Sequence, residues 1–315
     1  MPNNRSVKVK KLVERFQMEV VYKSPDYETK VLTITDANRP GLQFAGFFDY
    51  FDPERLQIIG KSEVEYLRGF SPDERRKRFG DLFSYEIPAF VISRNLDVFP
   101  ECVEMAEHYG RTVLRTKLTA VEFTSLAIDF LNHELAPMIT RHGVLLDVYG
   151  EGVIIMGDSG IGKSETAIEL IKRGHRLVAD DAVEIRRIGN SLIGSAPELI
   201  RDYLEVRGVG VIDIQKIFGM GAVQESTQID LVIKFEDWKD GYVYDRLGLD
   251  EDYMQILDVS VPCVTIPVRA GRNLAGITEI AAMNNRQKKY GFNSAQSFVE
   301  KIDRQVDANS KNFSY

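Results

Sequence analysis

An unbroken apolar run, Val153-Ile154-Ile155-Met156, leads into Gly157-Asp158-Ser159-Gly160-Ile161-Gly162-Lys163-Ser164, and residues 165–173 follow with helical spacing. The octapeptide satisfies G-x-x-x-x-G-K-[ST] at every fixed position. It also sits between a predicted buried strand and a predicted helix, the context that separates a phosphate-binding loop from a chance glycine-rich turn. Ala167, Ile168, Leu170 and Ile171 supply the inner face of that helix, and Gly174 stops it. Glycines allow the backbone to curl so that successive NH groups point inward. Lys163 then brings positive charge to the outer phosphates, and Ser164 brings a hydroxyl to a magnesium ion. The whole stretch 157–164 is therefore expected to grip a polyphosphate within an α/β fold.

With 315 residues, the length suggests about two domains. Residues up to about 130 alternate strand-like and helix-like stretches without any phosphate loop, so a small α/β domain over 1–133 is expected ahead of a catalytic domain over 134–315. In the first, Ser71-Pro72-Asp73-Glu74 is a capping box opening a helix through Phe79. Residues 85–92 read as a strand whose Pro88 places it near an edge or a strand start. Residues 101–109 read as helix and 111–115 as strand. Thr119 caps a long helix that ends before Pro137. In the second domain, residues 143–149 and 152–156 read as a hairpin feeding the phosphate loop. Near the C-terminus, Asn293 and Gln296 stand at capping spacing before Phe298, Val299, Ile302 and Val306. That apolar stripe is expected to pack on its own domain, with a subunit or partner contact as the alternative.

Composition removes several classes of function. The formal charge of −7 gives no general attraction to nucleic acid or to a membrane surface. Cys102 and Cys263 are far apart and form neither a disulfide framework nor a zinc motif. The N-terminus lacks the apolar core of a signal peptide, and no apolar stretch approaches the roughly 20 residues that span a bilayer. The cytoplasm is the expected location.

Beyond the loop, Arg176-Leu177-Val178-Ala179 is a short strand ending in Asp180-Asp181. Carboxylates at such a strand end can stand beside the metal and the γ-phosphate. If one orients the metal shell, the other is free to accept a proton from an attacking hydroxyl. His142, at a predicted strand start, is read on the residues alone either as a satisfied structural group or as a catalytic one. Residues 204–213, Leu204-Glu205-Val206-Arg207-Gly208-Val209-Gly210-Val211-Ile212-Asp213, make a poor regular strand or helix and are expected to form a loop near a ligand.

Taken together, several runs resemble the bacterial HPr kinase/phosphorylase family in order and spacing. They are residues 141–150 (Arg-His-Gly-Val-Leu-Leu-Asp-Val-Tyr-Gly), the phosphate loop, Asp180-Asp181, residues 204–208 (Leu-Glu-Val-Arg-Gly), Asp245-Arg246-Leu247-Gly248, and Pro267-Val268-Arg269-Ala270-Gly271-Arg272-Asn273. The resemblance implies a catalytic core similar to phosphoenolpyruvate carboxykinase and assembly as a homohexamer. It implies a bifunctional enzyme of the phosphotransferase system, acting in carbon catabolite repression. Such an enzyme phosphorylates a serine of the phosphocarrier protein HPr with ATP or pyrophosphate, and removes that phosphate with inorganic phosphate, giving pyrophosphate. By position it makes Lys163 the loop lysine, Ser164 and Glu205 the magnesium ligands, Asp181 the base, and His142 and Arg246 further active-site residues. It assigns 204–213 to both directions and 267–272, with Pro267, Arg269, Gly271 and Arg272, to dephosphorylation. Two arginines there could clamp a second anion. Two other readings stay open: a carboxykinase-like metabolic enzyme, and a nucleotide-gated regulator without catalysis.

Overall fold

The chain divides into two compact units, residues 1–137 and 138–315, as seen in a computed structural model that describes residues 5–239, 241 and 251–312. In the first unit the main elements are α1 (Val9–Phe16), β1 (Glu19–Tyr22), β2 (Ala37–Asn38), β3 (Leu56–Ile59), α2 (Lys61–Arg68), α3 (Pro72–Phe83), β4 (Phe90–Ile92), α4 (Pro100–Tyr109), β5 (Val113–Arg115) and α5 (Ala120–Glu134). The sheet runs β1-β5-β4-β3-β2, with only β1 antiparallel to its neighbour. Strand side chains alternate between faces. Leu56, Ile58, Val91 and Leu114 therefore join the core under α1 and α5, while Ile59, Phe90, Ile92 and Val113 join the core under α2, α3 and α4.

Two expectations shift here. Helix α3 is capped by Ser71 and Glu74 as read, but it continues a turn beyond Phe79 to Phe83. Leu82 and Phe83 are fully buried, and Gly80 is buried against α4, where a Cβ would make an ordinary contact 3.5 Å from Met105 Sδ. Packing thus outweighs the helix penalty of glycine. The strand expected over 85–92 is only Phe90–Ile92, and it lies at the centre of the sheet. Pro88 cannot donate to a ladder, so pairing begins after it.

The second unit contains β6 (Met138–His142), β7 (Val144–Val148), β8 (Glu151–Met156), α6 (Lys163–Lys172), β9 (Arg176–Ala179), β10 (Ala182–Ile188), β11 (Ser191–Ser195), β12 (Tyr203–Val206), β13 (Gly210–Asp213), β14 (Ser226–Gln228), β15 (Leu231–Asp237), β16 (Asp252–Ile256), β17 (Val259–Val268), α7 (Leu274–Lys289) and α8 (Ser294–Asn312). A six-stranded sheet runs β9-β7-β8-β15-β17-β16, and a four-stranded antiparallel sheet runs β14-β11-β10-β6. Val144, Leu146, Val153 and Ile155 pack beneath α6 and α7, while Leu145, Ile154 and Val232 face the second sheet. The period-two alternation thus builds three layers. Strands β8, β15 and β17 are parallel, so their carboxyl ends open on one edge, the usual ligand side of such a sheet.

Two further corrections belong to this unit. Residues 204–213 are not an irregular loop: β12 and β13 pair antiparallel from Tyr203↔Asp213 to Val206↔Gly210. Gly208 and Gly210 take φ of +82° and +104°, so the glycines serve the turn rather than break the strands. Secondly, the stripe on α8 is not fully covered: Phe298 and Ile302 are 53% and 44% exposed and belong to neither core cluster of the unit, while Val299 is half-buried. Among the described residues no helix is long and apolar enough to cross a membrane. Both cysteines are free and buried.

Candidate active site

The phosphate loop leaves β8 at Gly157 and enters α6 at Lys163. Gly157 has φ of +149°, and a Cβ there would lie 2.6 Å from the Phe235 carbonyl oxygen of β15, so only glycine fits. Gly162 caps the helix with φ of +104°. Lys163 is 7% exposed. Its ammonium donates to the carbonyls of Gly157 and Asp158, at 2.8 and 2.9 Å. These neutral acceptors hold a buried cation at the curl of the loop, where the phosphates of a ligand would be stronger partners.

The two acids at the end of β9 stand in different environments. Asp180 is buried, accepts from the Ser164 hydroxyl at 3.2 Å and from the Glu205 backbone NH at 3.0 Å. Burial pushes its carboxyl above the ordinary range, against the lowering effect of those hydrogen bonds. Asp181 is exposed and adopts φ of +67°. The left-handed conformation, which aspartate tolerates, carries the chain from β9 in one sheet to β10 in the other. A second crossover, His142-Gly143, runs beside it between β6 and β7. Gly143 is required there because a Cβ would lie 2.7 Å from the Ile155 carbonyl oxygen. The two crossovers meet: His142 Nδ1 is 2.9 Å from both the carboxylate Oδ1 and the backbone carbonyl of Asp181, and the Gly143 NH donates to that carbonyl at 3.2 Å. The topology, more than any local motif, brings His142 to the acid.

The β12–β13 hairpin completes this edge. Leu204 is buried beneath α6 and Val206 packs against the same core, leaving Glu205 exposed between them. At the turn, Arg207 Nη2 donates to Ser159 Oγ at 3.0 Å. Residues 267–272 leave β17 on the same edge, and Leu274 Cδ1 lies 3.7 Å from the position of a Gly162 Cβ. Arg272 donates to the Pro267 carbonyl at 2.5 Å, Arg269 lies 5.8 Å from the Trp238 ring, and Gly271 has φ of +83°. Both arginines are held within their own turn and its neighbour Trp238. Asp245, Arg246, Leu247 and Gly248 lie outside the described residues. Sequence reasoning missed the service done by Gly160, which lies under Arg207, and by Gly143. A glycine additional to the loop pattern was the available signal for the first.

A family profile described as "HPr Serine kinase C-terminal domain" matches residues 133–302. One described as "HPr Serine kinase N terminus" matches residues 7–131. The chain belongs to the HPr kinase/phosphorylase family. Its similar relatives include the HPr kinase/phosphorylase of Caldicellulosiruptor bescii, 50% identical over 299 residues, covering 95% of this chain and 96% of that one. The HPr kinase/phosphorylase of Bacillus licheniformis is 48% identical over 297 residues, covering 94% and 96%. Among solved structures, the "Hpr(Ser) kinase/phosphatase from Coxiella burnetii" is 35% identical, with a TM-score of 0.47, covering 51% of this chain and 98% of that chain. Family membership thus spans both units, and the phosphate loop, the paired acids and the hairpin all fall in the segment matched by the C-terminal profile.

Proposed function

We propose that this chain phosphorylates a serine of the phosphocarrier protein HPr, with ATP or pyrophosphate as donor, and removes that phosphate by phosphorolysis with release of pyrophosphate. The observation that carries this reading is the split environment of adjacent carboxylates, one buried against the loop serine and one exposed beside a histidine. Groups held in unlike surroundings take unlike tasks. Loop amides and the Lys163 ammonium hold the polyphosphate chain, the lysine exchanging carbonyl partners for phosphate oxygens. Asp180 holds the Ser164 hydroxyl and the hairpin in place.

Asp181, open to solvent, accepts the proton of the incoming serine as its oxygen bonds to phosphorus and the bond to the donor's bridging oxygen breaks. His142, 2.9 Å away, fixes the carboxylate's position. In reverse, an oxygen of inorganic phosphate attacks the phosphoserine phosphorus, Asp181 returns the proton to the serine oxygen, and pyrophosphate leaves. The family resemblance assigns Arg246, Arg269 and Arg272 to these steps, where a planar guanidinium suits phosphate oxygens.

Ser164 and Asp180, whose oxygens lie 3.2 Å apart, and the nearby Glu205 suit a magnesium ion, which takes a few hard oxygen donors and completes its shell with substrate and water. When bound, the ion neutralises charge on the phosphates. Assembly as a homohexamer, a cytoplasmic location and control of sugar uptake belong to the same reading.

Incubation with HPr, ATP and magnesium, and of phosphoserine-HPr with inorganic phosphate, tests it. Phosphoserine on HPr in the first reaction and pyrophosphate in the second are expected. Carboxylation of phosphoenolpyruvate in a parallel assay, or nucleotide binding with no transfer, would replace it.

A further inference from the structure

The pattern that defines the phosphate loop fixes its first and sixth residues as glycine and leaves Gly160 unexplained. In the fold, Gly160 has φ of +88°, and a Cβ there would lie 2.6 Å from Nη1, 3.2 Å from Cζ and 3.3 Å from Nη2 of Arg207. The guanidinium therefore packs directly on the loop backbone, and its Nη2 also donates to Ser159 Oγ at 3.0 Å. Ser159 and Gly160 form the exposed outer lip of the loop, on the solvent side of the buried Lys163.

Arg207 does not reach this lip by chance of rotamer alone. The hairpin that carries it is anchored at two points: Leu204 is buried in the core beneath α6, and the Glu205 NH is bonded to Asp180, which itself holds Ser164. A turn closed by the Val209 NH on the Val206 carbonyl then presents the arginine. Among the described residues no carboxylate lies within ion-pair distance of it, and a neutral hydroxyl is its hydrogen-bond partner. A five-donor cation so placed, at the mouth of an anion cradle, is short of an anion.

We propose that Arg207 is a phosphate clamp supplied in cis. Building on the transfer reaction proposed above, its guanidinium leaves the Ser159 hydroxyl for oxygens of the transferred phosphoryl group and holds the charge spread over them between donor and serine. Phosphoryl transfer is accelerated mainly by positioning and by such electrostatic contacts. The pairing of Gly160 with Arg207 follows, because a side chain at 160 would push the clamp off the loop.

The test uses the full chain and its Arg207→Ala and Arg207→Lys variants, with three readouts: turnover with HPr and MgATP, affinity for MgADP, and capture of ADP with aluminium fluoride, which mimics the phosphoryl group in flight. Arg207→Ala is expected to lower kcat by about 10²- to 10³-fold, to leave ADP affinity within about twofold, and to abolish capture of the fluoride complex. Arg207→Lys should recover only part of the capture, because lysine lacks the planar fork. Capture by Arg207→Ala equal to that of the parent would overturn the proposal, as would equal losses of ADP and of the fluoride complex, which would make Arg207 a latch for the hairpin. Should the parent bind and capture ADP yet leave HPr unmodified, the substrate reading fails while capture still decides the clamp.

Discussion

Asp180 and Asp181 are chemically identical neighbours whose surroundings set them apart. Only Asp181 can meet an incoming hydroxyl, so Asp181→Asn is expected to bind nucleotide almost normally while losing about 10²- to 10⁴-fold in both directions of transfer. Calorimetric titration with ATP beside a transfer assay checks this, and near-full kinase activity would remove Asp181 from the base role. Asp180 makes a different prediction. Burial raises its carboxyl above the unfolded value of about 3.9. Its contribution to stability is therefore complete below that range and is lost as pH rises through the folded value. At neutral pH, above the unfolded value, the raised folded value costs stability in the nucleotide-free protein. Asp180→Asn should melt at or above the parent at pH 7, the gap closing as the pH approaches 4, and should bind MgATP more weakly. A midpoint below the parent at pH 7 would mean that the bonds from Ser164 and Glu205 outweigh the buried charge.

The hairpin β7–β8 delivers the phosphate loop, and its placement depends on a close approach between sheets. A Cβ on Gly152 would lie 1.8 Å from the Gln228 carbonyl oxygen and 2.8 Å from Thr227 Cγ2, and the Gly152 NH donates to Asp230 at 2.9 Å. Because the obstacle is backbone, Gly152→Ala should destabilise the second unit by about 3 kcal/mol or more. The chain's one tryptophan, Trp238, lies in that unit, so its fluorescence in a urea titration reads the loss directly; an unchanged midpoint would mean that the sheets can part there at little cost. Local signals made the loop, α6 and the capped helices legible in the sequence, because strand, glycine turn and helix follow one another within a few residues. The β12–β13 pairing was hidden because its glycines look the same in a turn between strands as in a loop. The His142–Asp181 contact was readable only through the resemblance, since two sheet crossovers far apart in sequence create it. The stripe on α8 has core periodicity yet leaves Phe298 and Ile302 exposed, for periodicity reports an apolar face and not what covers it.

The cores of the two units share no residue: one pair of clusters draws on residues 7–135, and the other on residues 139–282. Each unit can therefore bury apolar area without the other, the condition for independent folding. The described residues of the candidate site, from His142 through the loop, Asp180, Asp181 and the hairpin to Arg272, all belong to the second. A fragment spanning 135–315, which leaves β6 whole, is accordingly expected to fold and to bind MgATP within about threefold of the full chain, as its own hydrogen bonds already position the loop. Isothermal titration of the fragment beside the full chain measures this, with Trp238 fluorescence reporting that the fragment is folded. A folded fragment with tenfold weaker binding would show that the first unit shapes the phosphate site, and would move its role from a separate module to part of the nucleotide machinery.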